Sequence, residues 1–462
     1  MSRSRALALV AALAFYPFPF TLYPHSHAKV IDATLVSTAT PEGRLTVFDD
    51  AWARINERYY DQHFRGLDWD VQRTAFRAQA AKADSEQGLY AVLRHMIASL
   101  NDPHTRVYAP NEKFDWWRPR FVSVGFAIAE IGGLPTVIKV DSGSAAQRAG
   151  VRAGDVIETV NGEAAMSIAG NRLSNLPELT PASARFRVFA KLLDGPADTS
   201  VDMTWKGEDG KRKSARFRRY WQQRELGVRV TRERGDYIVV DLDAFTKTIA
   251  ADFGRSFREK LKGARGIILD LRNNGGGDAE AMSDIAATFL GVGVDLGQFT
   301  DRAGTRFSIF TQATSLLAIN RLQQTKLPLI VLTSQRTASA AEIFVEALRT
   351  SRRATIIGAQ TCGCVLAVRN RHLLPDGGLL DVSELDYQTA AGRRLEGDGI
   401  KPDEIVVVEQ SDLYVGRDRA MNVALRKLAR IATGRDEPKM TGHRTPIESP
   451  PRSSSRYLRI MV

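Results

Sequence analysis

The chain contains 462 residues, 44% of them hydrophobic and 25% charged, which is the composition of a globular protein with a substantial core. This length allows about three domains, and two cysteines are too few for a disulfide framework. The formal net charge of +11 favours anionic surroundings, such as lipid headgroups or cell-wall polymers of an envelope. Because the sequence has no zinc finger, RNA-recognition signature or dense Lys/Arg stripe, nucleic acid is not an expected partner.

Residues 1–28 have the pattern of a secretion signal. Arg3 and Arg5 precede an apolar run, Ala6 to Phe15, and Ser26-His27-Ala28 offers small residues on either side of a cleavage point. We therefore expect a periplasmic or secreted protein. The apolar run is short for a membrane span and prolines follow it, so an uncleaved anchor is the less favoured alternative.

The next region, 29–118, is predicted to be mainly helical and to end in a loop that carries a histidine. Its helical patterns lie between residues 46 and 100, and the last of them must stop at Asn101-Asp102-Pro103, because a proline disfavours helical geometry at the residue before it. His104 follows at once. Considered alone, it is equally typical of a surface loop histidine and of a general base.

From about residue 119 to 216 the pattern changes to short strands and turns. Val124-Gly125-Phe126-Ala127 precedes a strand, and the run from Ala149 to Ile157 leads to a tight Asn161-Gly162 turn. This region resembles a PDZ domain. The resemblance implies that Val124 to Ala127 form the loop that binds a peptide's terminal carboxylate, while the peptide adds a strand to the sheet edge.

Alternating strands and helices predict an α/β core with parallel strand pairing over residues 217–432. Two strand-loop-helix patterns stand out in it. One contains three consecutive glycines within Asp270 to Asp278, and the other places Ser339 where a strand turns into a helix. The glycine loop lacks the Gly-Lys-Ser/Thr of a phosphate loop. Considered alone, Ser339 is better explained as an ordinary helix N-cap.

Beyond residue 432 the composition turns to Ser, Pro and Arg, as in Pro450-Pro451-Arg452 and Ser453 to Ser455. This composition predicts that residues 433–462 are a disordered basic tail.

Together the two core loops resemble those of the carboxyl-terminal processing (tail-specific) and tricorn-core family of serine peptidases. That family has an Asp-Leu-Arg-x-Asn-x-Gly-Gly loop and a Ser-Ala-x-Glu-Ile nucleophile helix, and the resemblance spans roughly residues 46 to 408. It implies an α/β, ClpP/crotonase-like peptidase core with an N-terminal helical unit and an inserted PDZ domain. It also implies Ser339 as the nucleophile, with no cofactor and no metal.

The identity of the base divides this family into two branches. The processing-protease branch uses a lysine in a Thr-x-Gly-Lys motif, but here the matching segment is Thr361-Cys362-Gly363-Cys364. The tricorn-like branch uses a histidine with a distant glutamate, and His104 and Glu396 match that pattern. The resemblance therefore implies His104 as the base and Glu396 as its orienting group, with Asp102, Glu342 and Asp398 as rival orienting carboxylates.

The oxyanion of a serine peptidase is stabilised by backbone amides, each typically worth about 3 to 4 kcal/mol of barrier. The expected donors are the amide of Ala340 and one amide of the glycine run, Gly276 first or Gly275. Cys364 as a nucleophile is a weaker alternative, because nothing basic in the sequence marks it as activated. A mutual disulfide with Cys362 is not expected, since one intervening residue strains such a bond.

The leading hypothesis is a secreted or periplasmic serine endopeptidase whose protein substrates have free C-terminal tails bound by the PDZ domain. The alternative is a catalytically inactive homologue that has lost its lysine and binds such tails. A PDZ-tethered scaffold for anionic polymers has only the net charge in its favour.

Overall fold

The computed structural model describes residues 35–112, 115, 118–174, 182–312 and 324–432. The predicted signal, 1–28, and the predicted tail, 433–462, lie outside the described residues. Within the described part, no helix is long and apolar enough to cross a membrane.

Three helices form the N-terminal unit. Their bounds are α1 (Pro41–Arg58), α2 (Trp69–Lys82) and α3 (Glu86–Ala98), with a single 3-10 turn at Phe64–Gly66. The Ser85 side chain caps α3 by accepting from the N–H of Gly88 at 3.1 Å, as expected of an N-cap serine. The apolar stripes of α1 and α3 meet in one buried cluster that includes Phe48, Ile55, Tyr59, Leu89 and Leu93. The chain then leaves α3 through Asn101, which has a positive φ of 48°.

The PDZ part is a six-stranded antiparallel sheet with helices beside it. Its elements are β3 (Phe126–Ile131), β4 (Leu134–Val140), α4 (Ala145–Arg148), β5 (Val156–Val160), β6 (Glu163–Ala164), α5 (Ala165–Ser174), α6 (Ala182–Ala190), β7 (Ser200–Lys206) and β8 (Arg212–Arg218). The strand order is β3-β4-β5-β7-β8, with β6 on β5, so β3 lies at an edge. The ribbon of β2 (Arg120–Ser123) and β9 (Tyr220–Gln223) joins this part to the remainder of the chain.

The core is a second six-stranded sheet, parallel except at one edge. It contains β10 (Val228–Glu233), β11 (Tyr237–Leu242), β12 (Gly266–Asp270), β15 (Leu329–Thr333), β16 (Thr355–Gly358) and β19 (Glu404–Ile405), in that order. Only the β10–β11 pair is antiparallel. The near-continuous apolar sequences of β12 and β15 are typical of parallel strands covered on both faces.

Helices cover both faces of this core sheet. These are α7 (Lys247–Leu261), α8 (Ala279–Leu290) and α9 (Ala340–Thr350) on one face, and α11 (Arg419–Ala432) on the other, with the short α10 (Gln410–Tyr414) preceding α11. The predicted α/β fold class is thus confirmed. Because β12 pairs in parallel with β15, the loops that follow their carboxyl ends lie side by side. Those loops are the two that the sequence singled out.

An antiparallel sheet connects the N-terminal unit to the core. It is formed by β1 (Arg106–Tyr108), β13 (Asp295–Asp301), β14 (Arg306–Phe310), β17 (Ala367–Leu373) and β18 (Leu379–Gln388). β1 pairs with β18, and the hydroxyl of Thr105 accepts a hydrogen bond from the N–H of Ser383 on β18. This pairing attaches the His104 loop to the core.

Candidate active site

Ser339 occupies the turn between β15 and α9 in an unusual backbone conformation, with φ 63° and ψ −127°. Its side chain is buried, 1% of the residue being exposed, and the hydroxyl has no hydrogen-bond partner in the described structure. An N-cap serine would use that hydroxyl to accept from the first turn of the helix. Ser339 and Glu342 occupy the positions of a capping box, but the hydroxyl makes no cap hydrogen bond of ordinary geometry. Backbone outliers of this kind cluster at functional sites.

The glycine loop is tied to the Ser339 loop by three hydrogen bonds. The N–H of Ala338 donates to the carbonyl of Asn274 at 3.1 Å, and the hydroxyl of Thr337 donates to the carbonyl of Leu271 at 2.7 Å. The Ser334 hydroxyl donates to the carbonyl of Arg272 at 2.6 Å. The amides that follow Asn274 are consequently held next to the predicted nucleophile.

The predicted oxyanion donors differ in their availability. The N–H of Gly276 donates to the side chain of Asn274 at 2.9 Å, so it is already engaged within its own loop. The N–H groups of Gly275 and Ala340 have no acceptor among the described residues. The structure therefore favours Gly275 over Gly276 as the partner of Ala340.

The carboxylate of Glu342, in the first turn of α9, joins the Ser339 turn to residues 361–366, here called the linking segment. Four donors converge on it: the N–H groups of Ser339, Gly363 and Cys364 and the hydroxyl of Thr361, at 2.5 to 3.1 Å. Glu342 is fully buried. Burial raises its pKa, while these hydrogen bonds act to lower it. Glu342 was a rival orienting group for the histidine, but its oxygens are occupied by this segment.

Cys362 and Cys364 form a disulfide, contrary to the expectation from the sequence. Their Cα atoms are 5.2 Å apart, within the usual range for disulfides. The intervening Gly363 has a φ of 70°, and a Cβ there would lie 2.8 Å from the carbonyl oxygen of Gly397. Gly363 therefore adopts a backbone conformation that favours glycine, and this conformation brings the side chains of Cys362 and Cys364 together. Position 364, where the family has its lysine, carries no free thiol.

His104 lies in a turn built by Asp102. The N–H of His104 donates to Oδ1 of Asp102 at 2.8 Å, and Oδ2 accepts from the N–H and hydroxyl of Thr105. His104 is 8% exposed, and its Nδ1 lies 3.9 Å from Oδ1 of Asp102 without a hydrogen-bond partner in the part of the chain described. Burial lowers the pKa of His104 to about 4. The imidazole is therefore neutral near pH 7, the form that a general base requires.

Glu396 is buried beside the far end of the linking segment. Its Oε2 accepts from the N–H groups of Val365 and Leu366, at 2.7 and 3.3 Å. Its Oε1 lies 3.9 Å from the guanidinium of Arg65 and makes no hydrogen bond with any described residue. Burial and then the charge of Asp102 raise the pKa of Glu396 to about 8. The carboxylate of Asp102 thus interacts electrostatically with both His104 and Glu396, but no hydrogen bond joins His104 directly to Glu396.

Comparison with known proteins gives three family matches in chain order. The Tricorn protease C1 domain matches residues 41–98, a PDZ domain matches 136–171, and Peptidase family S41 matches 236–406. A chloroplastic C-terminal processing peptidase of Tetradesmus obliquus is 29% identical over 393 residues, covering 80% of this chain and 79% of that protein. A carboxyl-terminal-processing protease of Synechocystis is 27% identical over 384 residues, covering 79% and 81%.

Solved structures agree with these matches. The photosystem II D1 C-terminal processing protease aligns with a TM-score of 0.51 and 27% identity, over 79% of this chain and 93% of that one. Mature CPAF aligns with a TM-score of 0.65 over 85% and 98%, but at 12% identity it speaks for the fold alone. The chain is a serine peptidase, and its residues 236–406 match Peptidase family S41.

The two remaining rival orienting groups of this serine peptidase, Asp398 and Asp102, are less suited than Glu396 to orient His104. Asp398 is exposed to solvent. Asp102 has the carboxylate that lies nearest to the His104 ring among the described residues, but both of its oxygens already accept hydrogen bonds from the turn that it forms.

The predicted carboxylate loop of the peptidase, Val124 to Ala127, leads into the edge strand β3. The N–H of Gly125 donates to the Ser123 hydroxyl at 2.9 Å, so this amide is engaged inside the loop. Helix α6 lies along β3, and Arg185 on α6 forms a two-pronged ion pair with Glu130 on β3. An incoming peptide strand would have to fit between these two elements.

Sequence reasoning missed two arginines at the site. Arg187 on α6 has its guanidinium 3.8 Å from Sγ of Cys364, although α6 belongs to the PDZ part. Arg336 precedes Ser339 by one turn, and its guanidinium lies over the ring of Phe186, 5.4 Å from the ring centre. Only the second had a local signal, its closeness to the serine in the sequence.

Proposed function

We propose that this serine peptidase belongs to the histidine-dependent branch, with Ser339 as nucleophile, His104 as general base and Glu396 as the group that orients the histidine. The observation that carries the proposal is the replacement of the lysine by Cys364, whose sulfur is held in a disulfide. A serine hydroxyl needs a base to become nucleophilic. His104 is held by the Asp102 turn and kept neutral by burial, and it is the residue proposed to act as that base.

The reaction follows from these positions. The Ser339 oxygen attacks the scissile carbonyl carbon while His104 takes the hydroxyl proton, and the N–H groups of Ala340 and Gly275 stabilise the oxyanion. His104 then gives its proton to the leaving amine, which departs as the new N-terminus. Water attacks the acyl-enzyme with the same base, releases the acid product and restores Ser339.

Glu396 is preferred to Asp102 because of how their oxygens are used. Both oxygens of Asp102 hold the turn, whereas Oε1 of Glu396 has no hydrogen bond in the described structure. Oε1 is thus available to accept from the Nδ1–H of His104, which also lacks a partner. Because no hydrogen bond joins the two groups, the proposal requires that the site rearrange when substrate binds.

The substrates that fit this arrangement are protein chains with free C-terminal tails. Support comes from the match to a PDZ domain, from the edge position of β3 and from the processing-peptidase relatives. A periplasmic or secreted location is supported by the basic and apolar pattern of the first 28 residues. It is also supported by the Cys362–Cys364 bond, since disulfides persist mainly in oxidising compartments.

Labelling with a serine-directed fluorophosphonate, together with casein hydrolysis, tests the assignment. Wild type should label and hydrolyse, Ser339→Ala should do neither, and His104→Ala should lose hydrolysis by about 10⁴-fold. The pair Cys362→Ser/Cys364→Ser is the matched control and should keep both activities, because neither sulfur takes part in proton transfer.

The unconnected Ser339 and His104 side chains also suit the alternative, a tail-binding homologue without activity. A wild-type chain that binds tail peptides but neither labels nor hydrolyses would establish that alternative. Loss of activity in the double serine variant would instead point to a cysteine mechanism.

A further inference from the structure

Arg336 lies in the turn that leads from β15 to Ser339, where its side chain reaches the PDZ part. Its backbone N–H donates to the hydroxyl of Ser334, which itself binds the glycine loop through the Arg272 carbonyl. Its guanidinium packs on Phe186 of α6. The backbone of Arg336 is thus held by the core and its guanidinium by the PDZ part, three residues before Ser339.

Among the described residues, no neighbouring acid matches the charge of Arg336. In the described ranges no carboxylate lies within 4.0 Å of its guanidinium, and the charged group that acts on it is another cation, Arg224. Arg224 has a carboxylate partner, Asp243 at 2.9 Å, and it donates to the carbonyl of Asn273 in the glycine loop at 3.0 Å. Burial and the charge of Arg224 lower the pKa of Arg336.

An arginine that is largely shielded from water and has no counter-ion is costly unless a ligand supplies one. Other arginines of the region are matched, such as Arg272 by Asp270 and Asp418. The fork of a guanidinium fits a carboxylate with two parallel hydrogen bonds. An anion that arrives with the substrate would supply the counter-ion that the described residues do not provide at Arg336.

We propose that Arg336 is a specificity-determining residue that binds a substrate carboxylate close to the scissile bond, so that the peptidase prefers cleavage sites with an acidic group there. The carboxylate belongs to an Asp or Glu side chain or to the substrate's own C-terminus, since either presents the same fork. Phe186 sets the plane of the guanidinium, as aromatic rings do when they stack with arginine. The proposal rests on Ser339 being the nucleophile.

The test uses peptidyl diphenyl phosphonates, which label an activated serine whatever the natural substrate of the enzyme is. The phosphonates of the first set have equal length, and each carries either Glu or Gln at one of the positions next to the phosphonate group. A parallel set of quenched peptides ends in a free acid or in an amide shortly after the cleavage site. Second-order labelling rates and kcat/KM are measured for wild type, Arg336→Gln, Arg336→Lys and Arg336→Glu.

Wild type should prefer Glu to Gln at one position, or the acid to the amide, by roughly tenfold to a hundredfold, as expected for a charge-assisted hydrogen bond. Arg336→Gln should lose the preference, Arg336→Lys should keep part of it, and Arg336→Glu should favour Lys at the same position. A preference confined to Glu identifies a side-chain carboxylate, and one confined to the free acid identifies a terminal carboxylate. Arg234→Gln removes an equal charge from the turn at the opposite edge of the core sheet and should behave as wild type.

Equal rates for Glu and Gln and for acid and amide in wild type would overturn the proposal, as would a preference that survives in Arg336→Gln. Labelling by a simple fluorophosphonate is recorded for each variant. If it is intact while the preference is absent, the specificity proposal fails alone. If wild type does not label at all, the proposed role of Ser339 fails first.

Discussion

The backbone N–H of Ser339 donates to the carboxylate of Glu342 at 3.1 Å, so a side chain within the first helical turn holds the predicted nucleophile in its strained conformation. The same carboxylate receives two amides of the linking segment. One buried acid thus sets the distance between the serine turn and the position of the missing lysine.

Replacing this acid should damage stability and activity together. Glu342→Ala leaves four buried donors without an acceptor, which should cost about 3 kcal/mol or more of unfolding free energy. Fluorophosphonate labelling of Ser339 should fall in parallel at temperatures where the variant is still folded. The measurements are urea unfolding and labelling rate. Glu346→Gln is the control, because Glu346 is buried one turn later in α9 and pairs with Arg349 and Arg393 instead. Equal labelling of the two variants would contradict the anchoring role.

The pH dependence of hydrolysis should show an acid limb at unusually low pH. Burial lowers the pKa of His104 to about 4, so the fraction of neutral base, and with it kcat/KM, should rise as the pH passes through about 4. An unburied histidine would place this limb near about 6.5. The profile is measured between pH 3 and 9 with a substrate that has no ionisable group. A limb at the ordinary histidine value would show that the imidazole is exposed in the working enzyme.

Glu396 should make the stability of the protein fall as the pH rises. Its pKa is about 8 in the folded state and near its ordinary value of 4.5 in the unfolded chain, so the folded state holds the proton more tightly. The resulting stabilisation is complete below about 4.5 and is lost as the pH rises through about 8. Glu396→Gln, which resembles the protonated form, should therefore gain stability relative to wild type over this range.

Urea unfolding at several pH values measures the effect, with Asp398→Asn as a control in the same loop. In kcat/KM, Glu396→Gln should also remove any further rise through about pH 8, since the proposed orienting group is then never ionised. A constant stability difference between Glu396→Gln and wild type at all pH values would disprove the raised pKa.

A C-terminal peptide should bind the full chain less tightly when its terminus is amidated, because the loop at Val124 to Ala127 then loses a charge-assisted hydrogen bond. Glu130→Gln should strengthen binding about twofold to fivefold, since it releases the ion pair that joins α6 to β3. Arg185 of that pair is about half exposed, which limits the effect. Calorimetric titration of Ser339→Ala protein gives the affinities. Asp202→Asn, which breaks a similar pair with Arg216 on the far strands, should leave them unchanged.

The sequence was sufficient for the elements whose signals are local. The apolar run at 329–332 and the helical spacing after Ala340 predicted β15 and α9, and the proline after Asp102 predicted the end of α3. The glycine loop and the Ser339 loop could be expected to lie side by side, because neighbouring parallel strands have their carboxyl ends at the same edge of a sheet.

What the sequence could not supply depends on contacts between distant segments. Nothing local shows that Glu342 binds residues of the linking segment, or that the Gly276 amide is taken by Asn274. The Cys362–Cys364 disulfide was not expected because only the spacing of the two cysteines was considered. The positive φ of Gly363 brings the two side chains together. Arg187 reaches the site from the PDZ part, so no motif around Ser339 contains it.

Apart from the Thr361 hydroxyl and the Cys362–Cys364 disulfide, the contacts of the linking segment described above are made by its backbone. The N–H of Cys362 donates to the carbonyl of Thr337, those of Gly363 and Cys364 to Glu342, and that of Val365 to Glu396. None of these bonds depends on the side chain at position 364. These backbone hydrogen bonds can therefore form with either a lysine or a cysteine at position 364, so a change of proton acceptor does not require rebuilding the turn that presents the nucleophile.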